Sequence, residues 1–448
     1  MSAPALPQFN ADRTLPAKVD VVVIGGGIIG ATTALELAER GHSVLLCEKG
    51  QLAGEQSSRN WGWVRLNQRD PREIDLMMKA FPLWEQMEAR TGQRTGYTTS
   101  GIVYTARSGR REAQLERWSQ HLRDLNLPGG MCRGQELENL MPGYGSRLRS
   151  GLHTPLDGRA EPQWATHAIA SGAQAAGATV VTGCAVRRLD VEGGAISGVV
   201  TEKGRVRATA VVVAGGAWSR LFLRNEGIFL PQLKVLSSVM RLSGVEGIPD
   251  TSIWSRGFSI RKRADGGFTV AGGGNNVFDL VPDILRLGPR FLPAYLRDMS
   301  NIRLRVSDRW GEEVADGYAW GAQDRSPFER TRVLDPKPWP TAIRKSLAAA
   351  RDAFPVLEKA DVTQSWGGLI DVTPDEIPVI SEVASLPGLF VSTGYSGHGF
   401  GIGPAAGKLT ADLVTGDPAI VDPARFALSR FLRKGRRAAP EVVAQPVS

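Results

Sequence analysis

Cysteine is nearly missing from this chain. Its 448 residues hold only Cys47, Cys132 and Cys184, too few and too scattered for a disulfide framework or a metal cluster, so no metal is expected and a reducing cytoplasm suits the protein. Long apolar runs are missing too: none reaches the ~18 residues of a spanning helix, and the opening stretch lacks a basic start followed by a long apolar core. Any membrane contact is therefore expected to be peripheral, at the inner face. Repeats and low-complexity tracts are absent, and no basic stripe is interleaved with aromatics as a nucleic-acid surface requires. Neither sign of charge dominates. Lys and Arg number 54 against 46 Asp and Glu, a net charge of +8, which suits an anionic substrate or surface but is modest over this length. The densest basic run, Arg430 to Arg437, lies beside Phe426, Leu428, Phe431 and Leu432. It reads as a solvated last helix and tail, with an amphipathic segment on anionic lipid as the alternative.

What the chain has in quantity is glycine, and the most informative cluster comes early. Four apolar residues, Val21 to Ile24, end at Gly25-x-Gly27-x-x-Gly30, and Ala31-Thr-Thr-Ala-Leu-Glu-Leu-Ala38 follows in a helical pattern. The order is strand, tight turn, helix. Gly25 permits the turn, Gly27 has no side chain to hold a pyrophosphate away, and Gly30 lets helix lie on strand, while the free N–H groups of the helix start face the phosphates. A second apolar run, Val44 to Cys47, ends in Glu48, an acid placed to accept from ribose hydroxyls and ill suited to a 2′-phosphate. The unit predicts an adenine dinucleotide without choosing FAD over NAD.

The length predicts two or three domains, and 42% apolar residues suffice for packed cores. Ile74, Met77, Met78, Phe81, Trp84 and Met87 recur at helical spacing despite Pro82, and Arg159 to Ala176 reads as another helix. A short strand at 177–183 precedes an antiparallel meander over 185–210, and Val211-Val-Val-Ala-Gly-Gly-Ala-Trp218 reads as a buried strand returning to a parallel sheet. Residues 231–275 look like strands, and 280–350 mix helices with prolines and charges. Leu389 to Ser392 makes the last strand, 394–403 a flexible glycine turn, and Ala405 to Val414 a closing helix. The expected fold is α/β: a discontinuous Rossmann-like cofactor domain, its parallel sheet carrying an antiparallel meander, plus a second mixed-sheet substrate domain. The cofactor domain takes 1–95, 151–225 and 351–448 with the tail, and the substrate domain takes 96–150 and 226–350.

Taken in order, the opening fingerprint, Ala214-Gly-Gly-Ala-Trp-Ser219, Thr373-Pro-Asp375 and Gly394-Tyr-Ser-Gly-His-Gly399 resemble the D-amino-acid oxidase family of flavoproteins, which includes glycine oxidase, monomeric sarcosine oxidase and D-amino-acid dehydrogenases. The likeness runs from about Val19 to Val414. It implies FAD as the cofactor, with the AMP half at Gly25, Gly27, Ile28, Ile29, Gly30, Glu48 and Lys49. Ser57, Ser58, Arg59 and Asn60 match the stretch passing the ribityl and pyrophosphate portion, and Val186 the main chain that meets adenine. Gly215, Trp218 and Gly368 complete the cradle. Gly397, His398, Gly399, Phe400, Gly401 and Ile402 belong to the loop that lies at the N1/O2 edge of the ring in the family, where a helix start at Pro404 to Ala406 would add its dipole.

Departures from the family pattern bear on the chemistry. Trp366-Gly-Gly-Leu369 is followed by Ile370-Asp371, where glycine oxidase has an Arg-Pro that clamps carboxylate. Arg65 then becomes the expected carboxylate anchor, by its match to the sarcosine-oxidase pattern, and the lysine that completes that clamp is Gly401 here. The added acid at 371 suggests a substrate with a second cationic group. Gly368 stands where sarcosine oxidase has its flavin-bonding cysteine, and no histidine lies at 54–61, so the FAD is expected to be non-covalent. Thr269 replaces the lysine that helps dioxygen accept electrons, a lean toward dehydrogenase over oxidase.

The expected activity is FAD-dependent oxidation of the C–N bond of an amine or amino acid to an imine: a D-amino acid, an N-alkyl or cyclic amino acid, or an amine. Arg65, Tyr395 and His398 are the catalytic candidates and Trp61, Trp63, Arg65 and Tyr395 line the substrate pocket. No acid–base dyad is expected, since the flavin performs the hard step. The partners are then the small-molecule substrate and an electron acceptor, which is dioxygen, a quinone or a protein. The alternatives are a tRNA-modification-type FAD module and an electron-relaying flavin subunit of a hetero-oligomer.

Overall fold

The computed structural model describes residues 3–272, 276–298 and 302–432. Val21–Ile24 pairs in parallel with Val44–Cys47 on one side and Ala210–Val213 on the other. The full sheet runs Val379–Glu382, Leu389–Thr393, Ala210–Val213, Val21–Ile24, Val44–Cys47, Thr179–Val181, with only the edge strand Val379–Glu382 antiparallel. Strands covered on both faces are unbroken apolar runs, which is why VVVI, VLLC and AVVV stood out. Helix Ile28–Glu39 is buried along almost its whole length, because helices Pro162–Ala175 and Gly399–Thr415 pack on it. The second crossing is very close: a Cβ added to Gly407 would stand 2.5 Å from Cβ of Thr32. The predicted meander is present as Val186–Glu192, Ala195–Thr201 and Gly204–Arg207.

A second, mixed sheet has ten strands, counted among the described residues. Ile102–Ala106 runs parallel to Ser252–Ser255 and antiparallel to Ser150–Thr154. Leu233–Leu242 pairs along its whole length with Val362–Val372, so the stretch after 351 begins in the large sheet and only then crosses to Val379–Glu382 in the cofactor sheet. That crossing carries Gly368, Ile370 and Asp371 to the junction of the two sheets.

One element differs from expectation. The glycine turn is confined to 394–398, and the closing helix starts at Gly399, not at Pro404 to Ala406, and runs to Thr415 with Pro404 inside it. Helix propensity of glycine is poor, but close packing overrides it: Cβ atoms at Gly401 and Gly403 would stand 3.0 Å from the Trp63 carbonyl oxygen and 3.1 Å from the Ile28 side chain. The amphipathic reading of the tail also changes. Phe426, Leu428 and Phe431 are buried in the body, which leaves Leu432 as the exposed one of the four apolar residues, and Arg430 pairs with Asp375 at 3.0 Å, while Arg433 to Arg437 lie outside the described residues. No described helix is long and apolar enough to cross a membrane.

Candidate active site where the two sheets meet

One continuous cleft runs from the first glycine turn to the last. Its lining reaches from Gly25 and Glu48 at one end to His398 and Gly401 at the other. At one end, Gly25 has φ +113 and a Cβ there would lie 2.4 Å from the Ala214 carbonyl oxygen, while one at Gly30 would lie 2.0 Å from that of Gly25. Both positions exclude any side chain. Gly27 caps helix Ile28–Glu39 with no side-chain hydrogen bond, so first-turn N–H groups face the cleft as an anion site. Ser57 Oγ accepts from the Ile28 N–H at 2.9 Å.

Glu48 accepts the N–H groups of Gly26 and Gly50, each at 2.7 Å, which aims its carboxylate at the cleft floor with lone pairs left for hydroxyl donors. Burial pushes its carboxyl up, opposed by Lys49. Lys49 donates to Glu55 at 2.8 Å and to the carbonyls of Thr331 and Arg332, and the Trp218 indole donates to Glu55 at 2.9 Å. Val186 and Gly215 also line this end. These groups tie down residues 326–335, a covering segment not foreseen from sequence: Ser326 and Glu329 form a capping box, Phe328 packs edge-on to Trp218 at 5.6 Å, and Asp335 pairs with Arg59 at 2.8 Å. The Ser-x-x-Glu spacing was its readable signal. Of the predicted cofactor residues, Gly30, Ser58 and Ile402 are outside the cleft lining. Gly30 lies beneath the turn and Ser58 and Ile402 are buried. The glycine cradle, the open helix start and the length of the cleft fit a dinucleotide.

At the other end, Gly394, Ser396 and Gly397 all have positive φ, a shape held from outside the loop. Asp371 accepts from the Gly394 N–H at 2.8 Å, the Thr393 hydroxyl at 3.2 Å and the Gln232 amide at 3.1 Å, and burial pushes its carboxyl up to about 6. Its charge braces the loop, so the inference of a cationic substrate from Asp371 is withdrawn. Tyr395 shares a hydrogen bond with Ser392 Oγ at 2.8 Å, and burial pushes its phenol well up; it is a wall of the cleft. Nor is there room for a lysine at 401, because the backbone of Trp63 to Arg65 fills that space.

Arg65 is buried and donates to the Asn67 carbonyl at 2.5 Å. Arg69, which sequence reading passed over, lines the same end and donates to the carbonyls of Arg65 at 3.0 Å and His398 at 3.5 Å. Asp157, also missed, fixes this stretch by accepting the N–H groups of Leu66 and Asn67, and burial pushes it up to about 6. Trp61 and Trp63 meet edge to face at 5.1 Å, and Trp63 leads to Tyr104 at 6.3 Å. Thr269 is not in the lining; it sits between Arg241 and Arg261 on neighbouring strands, and Arg261 is neutralised by Glu161 at 2.8 Å.

A carboxyl and an imidazole that sequence reading did not bring together lie near each other at this end. His398 lines the cleft with both ring nitrogens lacking a hydrogen-bond partner among the described residues, and burial, then the Arg65 and Arg69 charges, pull its pKa well down, which keeps it neutral. Glu73 Oε2 lies 3.9 Å from His398 Nδ1, and Oε1 lies 3.5 Å from Arg69 Nη1. Burial pushes the Glu73 carboxyl up to about 7.

A family model described as DAO, FAD dependent oxidoreductase, matches residues 20–413. The solved L-amino acid deaminase of Proteus myxofaciens, in complex with anthranilate, is 34% identical with a TM-score of 0.91, covering 95% of this chain and 96% of that one. Sarcosine oxidase subunit beta of Arthrobacter sp. is 24% identical over 442 residues, 96% of this chain and 95% of its own. Human mitochondrial sarcosine dehydrogenase is 25% identical over 410 residues, 88% of this chain but 39% of its own length.

Proposed function

Because the chain belongs to the DAO family of FAD-dependent oxidoreductases, flavoenzymes of amino acids and amines, we propose that it oxidises an L-α-amino acid at the Cα–N bond, to an imine that water hydrolyses. Bound FAD supplies the two-electron chemistry, accepting a hydride from the carbon that bears the nitrogen. Gly25 to Glu48 would hold its AMP half, and the start of the Gly399–Thr415 helix would offer N–H groups to the ring edge that gains negative charge.

The observation that carries this reading is a pair of buried cations, Arg65 and Arg69, at the end of the cleft opposite Glu48. A buried guanidinium with unfilled donors is costly unless an anion joins it, and Arg69 Nη1, 3.5 Å from Glu73 Oε1, has no hydrogen-bond acceptor among the described residues. A carboxylate fills that need, and its planar oxygens suit the arginine fork. Arg69 thereby takes the place of the lysine that Gly401 cannot be. Trp61 and Trp63 wall the space beside the arginines and favour an apolar side chain, and similarity to a protein named L-amino acid deaminase favours the L series. With Thr269 away from the cleft, Arg261 neutralised, and Lys49 at the Glu48 end and bonded to Glu55, no lysine among the described lining residues awaits dioxygen at the substrate end, so we assign the electrons to another acceptor, a quinone or a protein.

The test is anaerobic mixing of the yellow protein with a panel of amino acids and amines. L-amino acids with large apolar side chains should bleach the flavin, and amines lacking a carboxylate should not. Simple amines that bleach it equally well would remove the arginine pair from the argument. Admitting air should restore the colour slowly.

A second reading, a flavin subunit that relays electrons within a hetero-oligomer, is favoured by exposed apolar side chains gathered between Leu285 and Tyr318, among them Leu292, Leu296, Leu304 and Val306. Inactivity of the isolated chain with artificial acceptors would support it.

A further inference from the structure

The structure holds three wholly buried carboxyl groups around the substrate end, and they are not equivalent. Asp157 is bonded by two backbone N–H groups and the Thr154 hydroxyl, and Asp371 by a backbone N–H, a hydroxyl and an amide. Both are braces. Glu73 has neither carboxylate oxygen hydrogen-bonded among the described residues, although it is fully buried. Such a group is expensive to keep unless it does something. Its neighbours are Arg69, Asp70, Arg65 and Arg72 along its own stretch, with His398 and Tyr395 facing it from the glycine loop. Arg72 is already bonded to Asp70 at 3.0 Å. Arg69 Nη1 stands 3.5 Å from Oε1, and Oε2 faces His398, which lines the cleft.

An amino acid arrives with its nitrogen as an ammonium. No lone pair is then available to form the C=N bond, so one proton must leave before oxidation. Neutral His398 can receive it, but Arg65 and Arg69 make an imidazolium unfavourable there. A second acceptor behind the ring removes that obstacle.

We propose that Glu73 is the positioning residue that draws the substrate's ammonium proton through His398, leaving a neutral amine ready for oxidation. The proposal rests on the amino-acid reading above. In the step, an N–H bond of the ammonium breaks and its electron pair stays on nitrogen. The ring nitrogen Nε2 of His398 gains a proton, Nδ1 gives one up, and Oε2 of Glu73 forms the new O–H bond. No electrons change hands, and the net charge of the site is unchanged. The 3.9 Å from Nδ1 to Oε2 must close by about an ångström to reach hydrogen-bond length, a side-chain adjustment within the same packing.

The experiment is the rate of anaerobic flavin reduction as a function of pH for the holoenzyme and Glu73→Gln. The wild type should pass its half-maximum near neutrality. Glu73→Gln should be slower by on the order of 10- to 100-fold at pH 7 and rise with pH until it meets the wild type, once the free amine has lost its own proton. Benzoate, a carboxylate without an amine, should bind both proteins alike. A deficit of equal factor at every pH, or weakened benzoate binding of the same size, would make Glu73 a packing residue and overturn the proposal. A wild-type series covers the case of a misfolded variant: with substrates of differing amine pKa, the inflection should stay fixed, and an inflection that tracks the amine also overturns it. If no amino acid bleaches the wild-type flavin at any pH, the amino-acid reading itself falls, a different result from either.

Discussion

Glu73 illustrates how a residue's meaning depends on what donates to it. Its carboxyl is pushed up to about 7 by burial, against roughly 4.3 for an exposed glutamate, so the folded protein holds this proton more tightly than the unfolded chain does. The stability this adds is complete below the unfolded value and is lost as pH rises through the folded one. Glu73→Gln removes that dependence. Measured by denaturant unfolding at pH 5 and pH 8, the variant should gain on the wild type as pH rises, by on the order of 3 kcal/mol at most; the opposite trend would mean that Arg69 keeps the group ionised. None of this was legible in sequence. Arg65 was found because it follows a recognisable stretch, but Arg69 and Glu73 acquire roles only where the chain folds them against His398, far away in sequence. Gly401 is the converse case: its mismatch to a lysine was visible, while the reason, the backbone of Trp63 to Arg65 in the way, was not.

Among the elements, strands were the easiest to foresee, since VVVI and VLLC are buried on both faces and permit no polar interruption. The closing helix was misplaced by its glycines, which signal a loop on propensity alone but here let Gly401 and Gly403 approach other backbone and side chains. The covering segment 326–335 was missed because its anchors, Lys49, Glu55 and Arg59, lie in another part of the chain. The join between strand Val362–Val372 and the glycine loop is made by Asp371, which yields a test at this scale. Asp371→Ala leaves the Gly394 N–H without its acceptor, a loss of roughly 1–3 kcal/mol, while the Thr393 hydroxyl keeps the Gly216 carbonyl and the Gln232 amide keeps Thr393 Oγ1, each at 3.2 Å. Thermal unfolding and flavin content should both fall, and activity should drop for all substrates together. A loss confined to cationic substrates, with stability intact, would return Asp371 to the role of substrate contact.

At the scale of the whole molecule, the cleft is built by both sheets: Gly25 and Glu48 come from the parallel one, Gly368 and Ile370 from the mixed one, and the closing helix starts between them. A cofactor lying along it touches both halves and should stabilise them jointly. Among the described lining residues no cysteine stands at the ring end, and the FAD is expected to be non-covalent. Position 368 is glycine, where a Cβ would stand a tight 3.3 Å from that of Arg59, and Cys47 and Cys184 line the cleft beside Glu48 and Val186, where the adenine half is proposed. Cys132 is elsewhere, its thiol donating to the Gly151 carbonyl at 3.3 Å. A non-covalent FAD would bind by mass action. At a free FAD concentration a hundredfold above Kd the folded state should gain about 2.7 kcal/mol, read as a rise of a few degrees in the Tm of the apoprotein that grows with the logarithm of added FAD. Heat-denatured holoprotein should release its yellow colour into the filtrate; colour that stays with the precipitated chain would mean that a side chain bonds the flavin.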